Sequence, residues 1–454
     1  MKIPESPIPY QQLLAKLLNV DGGNDVLTKV MTSSIGATDT KGRYLHWEKV
    51  KYLPAPEGFT SESYWFAMKT ARRKMQKKTP FLAKDGSNFW YCVPDVLQKE
   101  LHWLDQNTAG SISMNSPVTN AHTRDTYLVS SLIEESISSS QLEGASTTRN
   151  VAKEMLRQNR TPKDHSEQMI YNNYAAMRLI REFREDDLTE PLMLELHRIL
   201  TQGTLEEASK AGHYRHMADD IHVVDSSVQE VLHTPPAADE LPERMSRLCW
   251  FANQTDEDAF VHPVIKAILL HFMIGYDHPF VDGNGRTARA LFYWAMSKYG
   301  YWLMEYISIS NIIKQAPVQY GKAYLHVETD ENDLTYFLIH QVQVIKEAVV
   351  SLQNYLQRKA SELEEAESLL ERSRARGELN HRQLSLLKHA LKNPGAIYRI
   401  QEHQSSHAIS YQTARTDLLR MSDVWGLLRK RKYGREFVFA SPQSLRELLA
   451  AGKV

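Results

Sequence analysis

Consecutive residues from His278 to Arg289 carry side chains that could do chemistry together. They read His-Pro-Phe-Val-Asp-Gly-Asn-Gly-Arg-Thr-Ala-Arg, with apolar helical patterns before and after them, so a glycine-bearing loop opens directly into a helix. Unsatisfied backbone N–H groups make a helix N-terminus an anion site. Gly283 and Gly285 let phosphate oxygens approach the backbone closely. The segment therefore predicts a phosphate-binding loop.

Charged and titratable residues in this loop supply the other parts of a phosphoryl- or nucleotidyl-transfer site. His278 is the group there whose ordinary pKa suits a general base near neutral pH. Asp282 offers a hard carboxylate oxygen of the kind that Mg²⁺ prefers. Arg286 and Arg289 lie three apart on one helix face, so both guanidinium groups can reach one polyphosphate. The sequence contains neither a Walker-type phosphate loop nor the kinase glycine-rich set.

The same residues match every specified position of the Fic domain (Fido fold) signature, H-x-F-x-[DE]-G-N-G-R-x-x-R. The resemblance extends over about residues 125–340, because Gly-His-Tyr-Arg at 212–215, followed by a predicted hairpin and Pro235-Pro236, also fits the family's pattern. Fic enzymes transfer AMP from ATP to a Ser, Thr or Tyr hydroxyl of a target protein. The resemblance therefore implies a protein adenylyltransferase that uses ATP and Mg²⁺.

This resemblance also implies a role for each residue of the signature. His278 would deprotonate the attacking hydroxyl, and Asp282 would hold Mg²⁺. The implied nucleotide-binding residues are Phe280, Gly283, Asn284, Gly285, Arg286, Thr287, Arg289 and Tyr320. Arg286 would contact the β-phosphate and Arg289 the γ-phosphate, while Tyr320 falls where the family places an aromatic side chain near the adenine.

Upstream, residues 138–144 read Ser-Ser-Ser-Gln-Leu-Glu-Gly and resemble the inhibitory motif [ST]-x-x-x-E-[GN] of Fic proteins. Ser139 and Glu143 occupy its key positions. Glu143 would pair with Arg289 and remove the cation that should hold the γ-phosphate, so in-line attack on the α-phosphate would be slow. The alternative interpretation is an ordinary Ser-rich helix end. In some family members this glutamate also supports removal of AMP from the target, so reversal stays open.

The elements that position these residues are expected to be mainly helical. Apolar residues at three-and-four spacing predict helices around the signature and over Tyr64 to Lys77. The stretch from Asp220 to Leu232 predicts a hairpin, which resembles the family's flap and would align a target segment by strand addition. The expected fold is a helical Fic core with this flap, plus a small C-terminal winged-helix domain. The predicted divisions are 1–115 (an N-terminal region packing on or extending the core), 116–355 (the Fic domain with its inhibitory helix), 356–377 (a linker helix) and 378–442 (the winged-helix-like domain).

The last predicted domain combines a polar helix with a basic β pair. The helix starts at Ser410, and the β pair, Leu427-Leu428 and Phe437 to Phe439, brackets a cluster of basic residues. These are Arg429, Lys430, Arg431, Lys432 and Arg435. The pattern is similar to a winged helix with a basic wing suited to phosphates. Contact with DNA and docking of protein are both open interpretations.

Composition limits the remaining possibilities. The 454 residues carry 54 Lys and Arg against 55 Asp and Glu, a net charge of −1, so the whole chain is no polyanion binder by charge alone. Cys92 and Cys249 form no metal-ligand or redox pair in sequence. No signal peptide or membrane span is visible, so a cytoplasmic protein without a membrane partner is expected. The protein substrate is unidentified, with the chain itself as one candidate, and a homodimer is an open alternative.

Three functions compete at this point. The leading one is an auto-inhibited protein adenylyltransferase. The second is a Fic enzyme that mainly removes AMP, or that transfers another nucleotide or phosphate moiety. The third is a DNA-binding regulator that uses the Fic domain as a nucleotide sensor.

Overall fold

The computed structural model describes residues 1–19, 23–109, 121–225, 229–255, 260–372, 378–407, 409–433 and 436–450. The chain divides into two compact units, Met1–Leu352 and Gln353–Val454. Helices dominate both units and the strands are few and short, which confirms the predicted mainly α fold. Among the described residues, no helix has the length and apolar character needed to cross a membrane.

The first 109 residues build a small aromatic core around one helix. Their elements are α1 (Tyr10–Leu18), α2 (Gly23–Thr32), α3 (Trp47–Val50), α4 (Ser61–Lys74), β1 (Lys77–Leu82), β2 (Asn88–Tyr91) and α5 (Asp95–Leu104). Helix α4 begins at Ser61 because the Thr60 hydroxyl accepts a hydrogen bond from the Ser63 amide at 3.1 Å. The predicted helix over Tyr64 to Lys77 is wrong at its end, because residues from Lys77 onward pair with β2 as a strand.

The signature lies between two helices at the centre of the first unit. The elements here are α6 (Ala121–Leu142), α7 (Arg149–Arg157), α8 (His165–Glu182), α9 (Glu190–Thr201), β3 (Val223–Asp225), β4 (Glu230–His233), α10 (Leu241–Asn253), α11 (Pro263–Asp277), α12 (Asn284–Lys298), α13 (Ile309–Gln315), α14 (Pro317–Thr329) and α15 (Thr335–Arg372). Almost every residue of α11 and α12 is buried. Helices buried on all sides belong to the centre of a large core, so this pair holds the loop between them rigidly.

Helix α11 has clear start and stop signals. Pro263 occupies its first turn, where the missing N–H costs nothing, and the His262 side chain accepts from the Val264 amide at 3.3 Å. The helix stops at Asp277 because His278 takes a left-handed conformation with φ 46°. A β-carbon disfavours that conformation, so packing must impose it on His278.

Buried ion pairs fasten α4 to the segment between α14 and α15. The Lys69 ammonium lies 2.9 Å from the Asp330 carboxylate, and both side chains are buried. Arg72 donates to the Tyr336 hydroxyl at 2.7 Å. Removing one partner of such a pair would leave a buried charge uncompensated. These contacts fix the N-terminal helices on the helical core.

The predicted hairpin is present as an antiparallel pair of short strands. Val223 pairs with His233 and Asp225 with Glu230 in β3 and β4, while the tip at 226–228 lies outside the described residues. Val224 and Val231 are exposed. Among the described strands, β3 and β4 pair only with each other.

The second unit begins within α15, whose last part covers most of the predicted linker helix; residues 373–377 lie outside the described ones. Its further elements are α16 (His381–Lys392), β5 (Ile397–Arg399), α17 (Ile400–His407), α18 (Tyr411–Leu419), β6 (Arg429–Tyr433), β7 (Glu436–Ala440) and α19 (Leu445–Ala450). The sheet order is β5-β7-β6, all antiparallel. Leu427 and Leu428 are buried core residues, where the sequence predicted a strand, because the strand begins only at Arg429.

Candidate active site

The loop between α11 and α12 is locked by its own side chains. Asn284 accepts from the Phe280 amide at 2.9 Å and donates to the Phe280 carbonyl at 2.8 Å, so a buried side chain closes the loop. The Thr287 hydroxyl donates to the Gly283 carbonyl at 2.9 Å. Phe280 is buried and stacks on His197, with ring centroids 3.7 Å apart. In this structure Phe280, Asn284 and Thr287 therefore shape the loop rather than point into a pocket.

Gly283 is the loop position that only glycine fits well. Its φ is +82°, and an added Cβ would lie 2.8 Å from the Thr201 methyl group. The His197 ring N–H donates to the Asp282 carbonyl at 2.9 Å, while its other nitrogen accepts from the Gly212 amide. Burial lowers the pKa of His197 to about 4, so the ring stays neutral and keeps both bonds.

The hydrogen bonding of the His278 ring suits a general base. Its Nδ1 lies 3.2 Å from the Gly275 carbonyl, an acceptor, so Nδ1 carries the proton and Nε2 is left with a lone pair. The ring lines the pocket described below. Burial, and to a smaller extent the charge of His233, lowers the pKa of His278 below its usual 6.5. The neutral, proton-accepting form is therefore present at neutral pH.

Arg215 holds the backbone around His278 through hydrogen bonds. It belongs to the Gly-His-Tyr-Arg segment that the resemblance includes. Its guanidinium donates to the carbonyls of His278 (2.8 Å) and Pro236 (2.6 Å), and at 3.3 Å to that of Asp277. The Arg215 amide donates to the Pro279 carbonyl at 2.9 Å. One side chain thus ties the loop that carries His278 to the base of the hairpin.

A carboxylate of the protein itself lies beside the N-terminal turn of α12. Gly283, the N-cap residue, has no side chain to satisfy the first N–H groups of the helix. The Glu143 carboxylate lies directly against Gly285, where an added Cβ would collide with it. Its Oε1 accepts from the Arg289 guanidinium at 2.8 Å. The Glu143 carboxylate therefore lies beside the anion site predicted from the glycines, and the predicted pairing with Arg289 is present.

Ser139 completes the contacts of Arg289. Its hydroxyl accepts from Arg289 Nε at 2.9 Å, and its carbonyl accepts from Nη2 at 3.0 Å. Arg289 is 2% exposed, whereas the Glu143 side chain keeps 29% of its surface exposed. Residues of the predicted inhibitory motif, 146 and 150 positions before Arg289, thus surround its guanidinium.

Arg286 and Arg289 point to different partners. Arg286 is buried and donates to the Leu200 carbonyl at 2.9 Å and to the Asp282 carboxylate at 3.0 Å. Its Nε has no hydrogen-bond partner among the described residues. Arg286 thereby joins the loop to the end of α9. The sequence predicted two arginines turned to one polyphosphate, and here only Arg289 lines the pocket with His278.

Asp282 suits a magnesium ion held mainly by a substrate. Its side chain is 54% exposed and one oxygen is paired with Arg286. No group of three or more His, Cys, Asp or Glu side chains forms a metal site in the described ranges. Mg²⁺ in nucleotide enzymes typically uses one or two carboxylates, substrate phosphates and water. A lone exposed carboxylate beside an anion site fits that pattern.

Glu143, His278, Gly285 and Arg289 share one pocket with Tyr320. The cavity has a volume of about 240 Å³, below the roughly 300–1,000 Å³ of typical ligand sites. Its lining includes Glu143, His278, Gly285, Arg289, Tyr320 and Met1. The Tyr320 hydroxyl lies 2.8 Å from Nε2 of His271. Burial lowers the pKa of His271 to about 3, so this ring is neutral and holds Tyr320 in place.

His233 connects the hairpin to the wall of the same pocket. Its Nδ1 lies 2.7 Å from the Glu328 carboxylate and its Nε2 lies 2.7 Å from the Tyr276 carbonyl. Both partners are acceptors, so the ring is held between a carboxylate and a backbone carbonyl. His233 ends β4 and therefore anchors the hairpin beside His278.

Four contributors to the site were missed from the sequence: His197, His233, His271 and Glu328. Single histidines on buried helix faces or strand ends look like ordinary core residues. The one available signal is that His233 immediately precedes the Thr-Pro-Pro that ends the hairpin.

Comparison with known proteins agrees with this geometry. Residues 187–296 match the Fic/DOC family. The protein adenylyltransferase Fic of Nematostella vectensis is 33% identical over 109 residues, 24% of this chain and 22% of that protein. The protein of the same name from Drosophila melanogaster is 39% identical over 69 residues, 15% of this chain and 14% of that protein. The chain thus spans about a fifth or less of the length of these relatives.

Similar solved structures include a Fic-1 fragment from C. elegans, with TM-score 0.48 and 17% identity over 78% of this chain and 90% of that one. A Fic family protein from Desulfovibrio desulfuricans has TM-score 0.47 and 17% identity over 76% of this chain and 94% of that one. The sequence match to the family includes the whole His278–Arg289 loop, helix α11 and all but the last two residues of α12. By this match, residues 187–296 of the chain form a Fic domain of the Fic/DOC family.

Proposed function

We propose that this chain is a protein adenylyltransferase that transfers AMP from ATP to a Ser, Thr or Tyr hydroxyl of a target protein, and that Glu143 holds it inactive. One observation carries the proposal: the free Nε2 side of His278 and the anion site at the start of α12 line the same pocket. A base and a polyphosphate site side by side are what nucleotidyl transfer requires. The names of the relatives support the choice of AMP.

His278 would act on the target hydroxyl. Its Nε2 takes the hydroxyl proton while the oxygen attacks the α-phosphorus of ATP. A new oxygen–phosphorus bond forms, the bond from the α-phosphorus to the bridging oxygen breaks, and pyrophosphate leaves. The locked loop keeps His278 in place, and the backbone N–H groups at the start of α12 take up the developing negative charge.

Asp282 would hold Mg²⁺ beside the phosphates, where the ion supplies positive charge to the leaving pyrophosphate. Arg289 would hold the γ-phosphate once Glu143 withdraws, and Tyr320 would lie against the adenine. Arg286 would reach the β-phosphate only by giving up its bond to Leu200 or Asp282.

The hairpin would position the target. The strands β3 and β4 leave their outer edges unpaired among the described strands, beside the pocket that contains His278. An extended target segment could add to such an edge through backbone hydrogen bonds. His233 and Arg215 hold the hairpin at a fixed distance from His278.

Inhibition would come from competition for one anion site. Glu143 already contacts Gly285 and Arg289, so a triphosphate cannot place its γ-phosphate on Arg289 until the carboxylate moves. ATP would then bind with its α-phosphate out of line with the hydroxyl, which slows transfer.

The test is transfer of label from α-³²P-ATP with Mg²⁺ to the protein itself and to a cell lysate. Glu143→Gly should label strongly, and adding His278→Ala should abolish the labelling. γ-³²P-ATP serves as the control, because it labels the target only if a phosphate and not AMP is transferred. Absence of α-label from every variant would refute the adenylyltransferase proposal.

Removal of AMP is a second candidate function, supported by the position of Glu143 in the same pocket as His278. Glu143 would orient a water molecule for attack on the AMP–target bond. A target labelled by Glu143→Gly should then lose its label to wild-type protein and keep it with Glu143→Gln.

A further inference from the structure

The second unit differs from the first in charge. Residues 353–454 carry 18 Lys and Arg against 11 Asp and Glu, whereas residues 1–352 carry 36 against 44. The two parts therefore have formal charges of +7 and −8, which cancel in the whole chain. Such charge asymmetry is typical of proteins with a segment that binds polyanions.

Much of this positive charge lies on one strand. All five residues of β6, Arg429–Tyr433, are exposed, and the strand forms an edge of its sheet. Lys430 is 2.9 Å from Asp423. Arg429, Arg431 and Lys432 have no ion-pair partner within the described part of the chain. A row of cations held on a strand can follow a phosphate backbone.

Helix α18 offers a polar face without an acidic residue. Tyr411, Gln412, Arg415 and Thr416 are exposed, while Ala414 and Leu418 are buried in the core. The one acidic residue of this helix, Asp417, is also buried. Its carboxylate accepts from Arg382 at 2.7 Å and lies 3.3 Å from His403, so its charge is compensated inside.

The strand and the helix are held together. The chain leaves α18 in a short turn, and the amides of Leu427 and Leu428 donate to the Met421 carbonyl of that turn at 2.9 and 3.3 Å. The Asp423–Lys430 pair then fixes the first part of β6 to the same turn. The basic strand therefore begins next to the C-terminal end of α18.

We infer that the C-terminal unit binds duplex DNA, with β6 on the phosphate backbone and the exposed face of α18 in a groove. A helix fits the major groove, and Arg, Gln, Tyr and Thr side chains donate to phosphates and base edges. An anionic membrane would be met best by an apolar face, which the exposed side of α18 lacks. The inference does not depend on the proposed transferase activity.

The test uses the full chain without nucleotide and a fluorescein-labelled duplex of about 24 base pairs and mixed sequence. Binding is followed by anisotropy between 50 and 200 mM salt. The affinity should fall steeply with salt, and Arg431→Ala/Lys432→Ala should lower the slope of log K against log salt by about two, at roughly 0.9 per phosphate contact. Arg415→Ala should weaken binding further.

A matched control removes two exposed lysines from an edge strand of the first unit. Lys77→Ala/Lys78→Ala deletes the same charge from β1 and should leave affinity and slope unchanged. Equal effects of the two double variants would overturn the inference, as would no measurable binding to the duplex. The cations of β6 would then serve only to protect a sheet edge.

Two further probes exclude other polyanions. Vesicles of phosphatidylserine and phosphatidylcholine, and poly-glutamate, should bind more weakly than the duplex at equal charge concentration. If either binds as tightly and loses the same affinity in Arg431→Ala/Lys432→Ala, the surface is a general anion site and the DNA assignment fails.

Discussion

Replacing Glu143 by Gln tests the proposed inhibition by a change of one charge. The amide is isosteric with the carboxylate, so it still accepts from Arg289, but it no longer neutralises that guanidinium. Arg289 is 2% exposed, and its bond to Glu143 is 2.8 Å long. A hydrogen bond between charged groups contributes about 1.5–3 kcal/mol.

The free energy that Glu143→Gln removes from the contact with Arg289 should lie near or slightly below the lower end of that range. The Glu143 side chain is 29% exposed, so solvent screens part of the attraction, and we expect about 1–2 kcal/mol. That free energy shifts an equilibrium about 5–30-fold. The population of ATP with its γ-phosphate on Arg289 should rise by this factor, and so should the initial rate of α-³²P transfer.

Two controls make the measurement specific. Ser139→Ala removes one neutral acceptor and keeps the carboxylate, so the rate should rise less than with Glu143→Gln. Glu134→Gln removes the same charge from α6, the helix that ends one residue before Glu143, where Glu134 pairs with Arg149 at 2.6 Å; it should leave the rate unchanged. The reasoning is refuted if calorimetry shows that Glu143→Gln binds ATP while its transfer rate equals that of Glu134→Gln.

Three further predictions rest on named contacts. Because burial lowers the pKa of His278 below 6.5 and the base works deprotonated, the acid limb of kcat/KM for the Glu143→Gln protein should have its midpoint below pH 6.5. A midpoint at or above pH 6.5 would contradict this. Arg215→Lys cannot satisfy the three carbonyls to which the guanidinium donates. If the lost hydrogen bonds raise the activation free energy by about 1.4 kcal/mol or more, kcat should drop at least tenfold while KM for ATP stays unchanged. A change confined to KM would count against this prediction. Burial lowers the pKa of His271 in the folded state to about 3, so below pH 6.5 the unfolded state takes up the proton first. The free energy of unfolding should then fall by about 1.4 kcal/mol per pH unit from this residue alone. Urea titrations from pH 7 to pH 5 should show a smaller fall in the free energy of unfolding for His271→Gln, whereas the variant of an exposed histidine, His165→Gln, should show the same fall as the wild type.

The sequence alone determined the local parts of the site. Glycines, Asn284 and the apolar flanks fix the loop and the start of α12, because these features depend on residues only a few positions apart. The mainly helical fold follows from periodicity for the same reason. The Glu143–Arg289 contact, which spans 146 positions, was predicted only through resemblance to a family motif.

Element ends were less well predicted. The helix expected to reach Lys77 ends at Lys74, and the strand expected at Leu427 begins at Arg429. In both places pairing with another strand decided the boundary. Local propensity carries no information about such partners.

Only the tertiary structure decided how the loop is held and which way its arginines point. Arg215 reaches His278 across 63 positions, and His197 reaches the Asp282 carbonyl across 85. Arg286 turns to Leu200, although the same spacing would allow it to share a ligand with Arg289. Helical spacing determines on which face of a helix a side chain lies. The hydrogen-bond acceptors come from neighbouring helices, and their positions depend on the packing of the whole core.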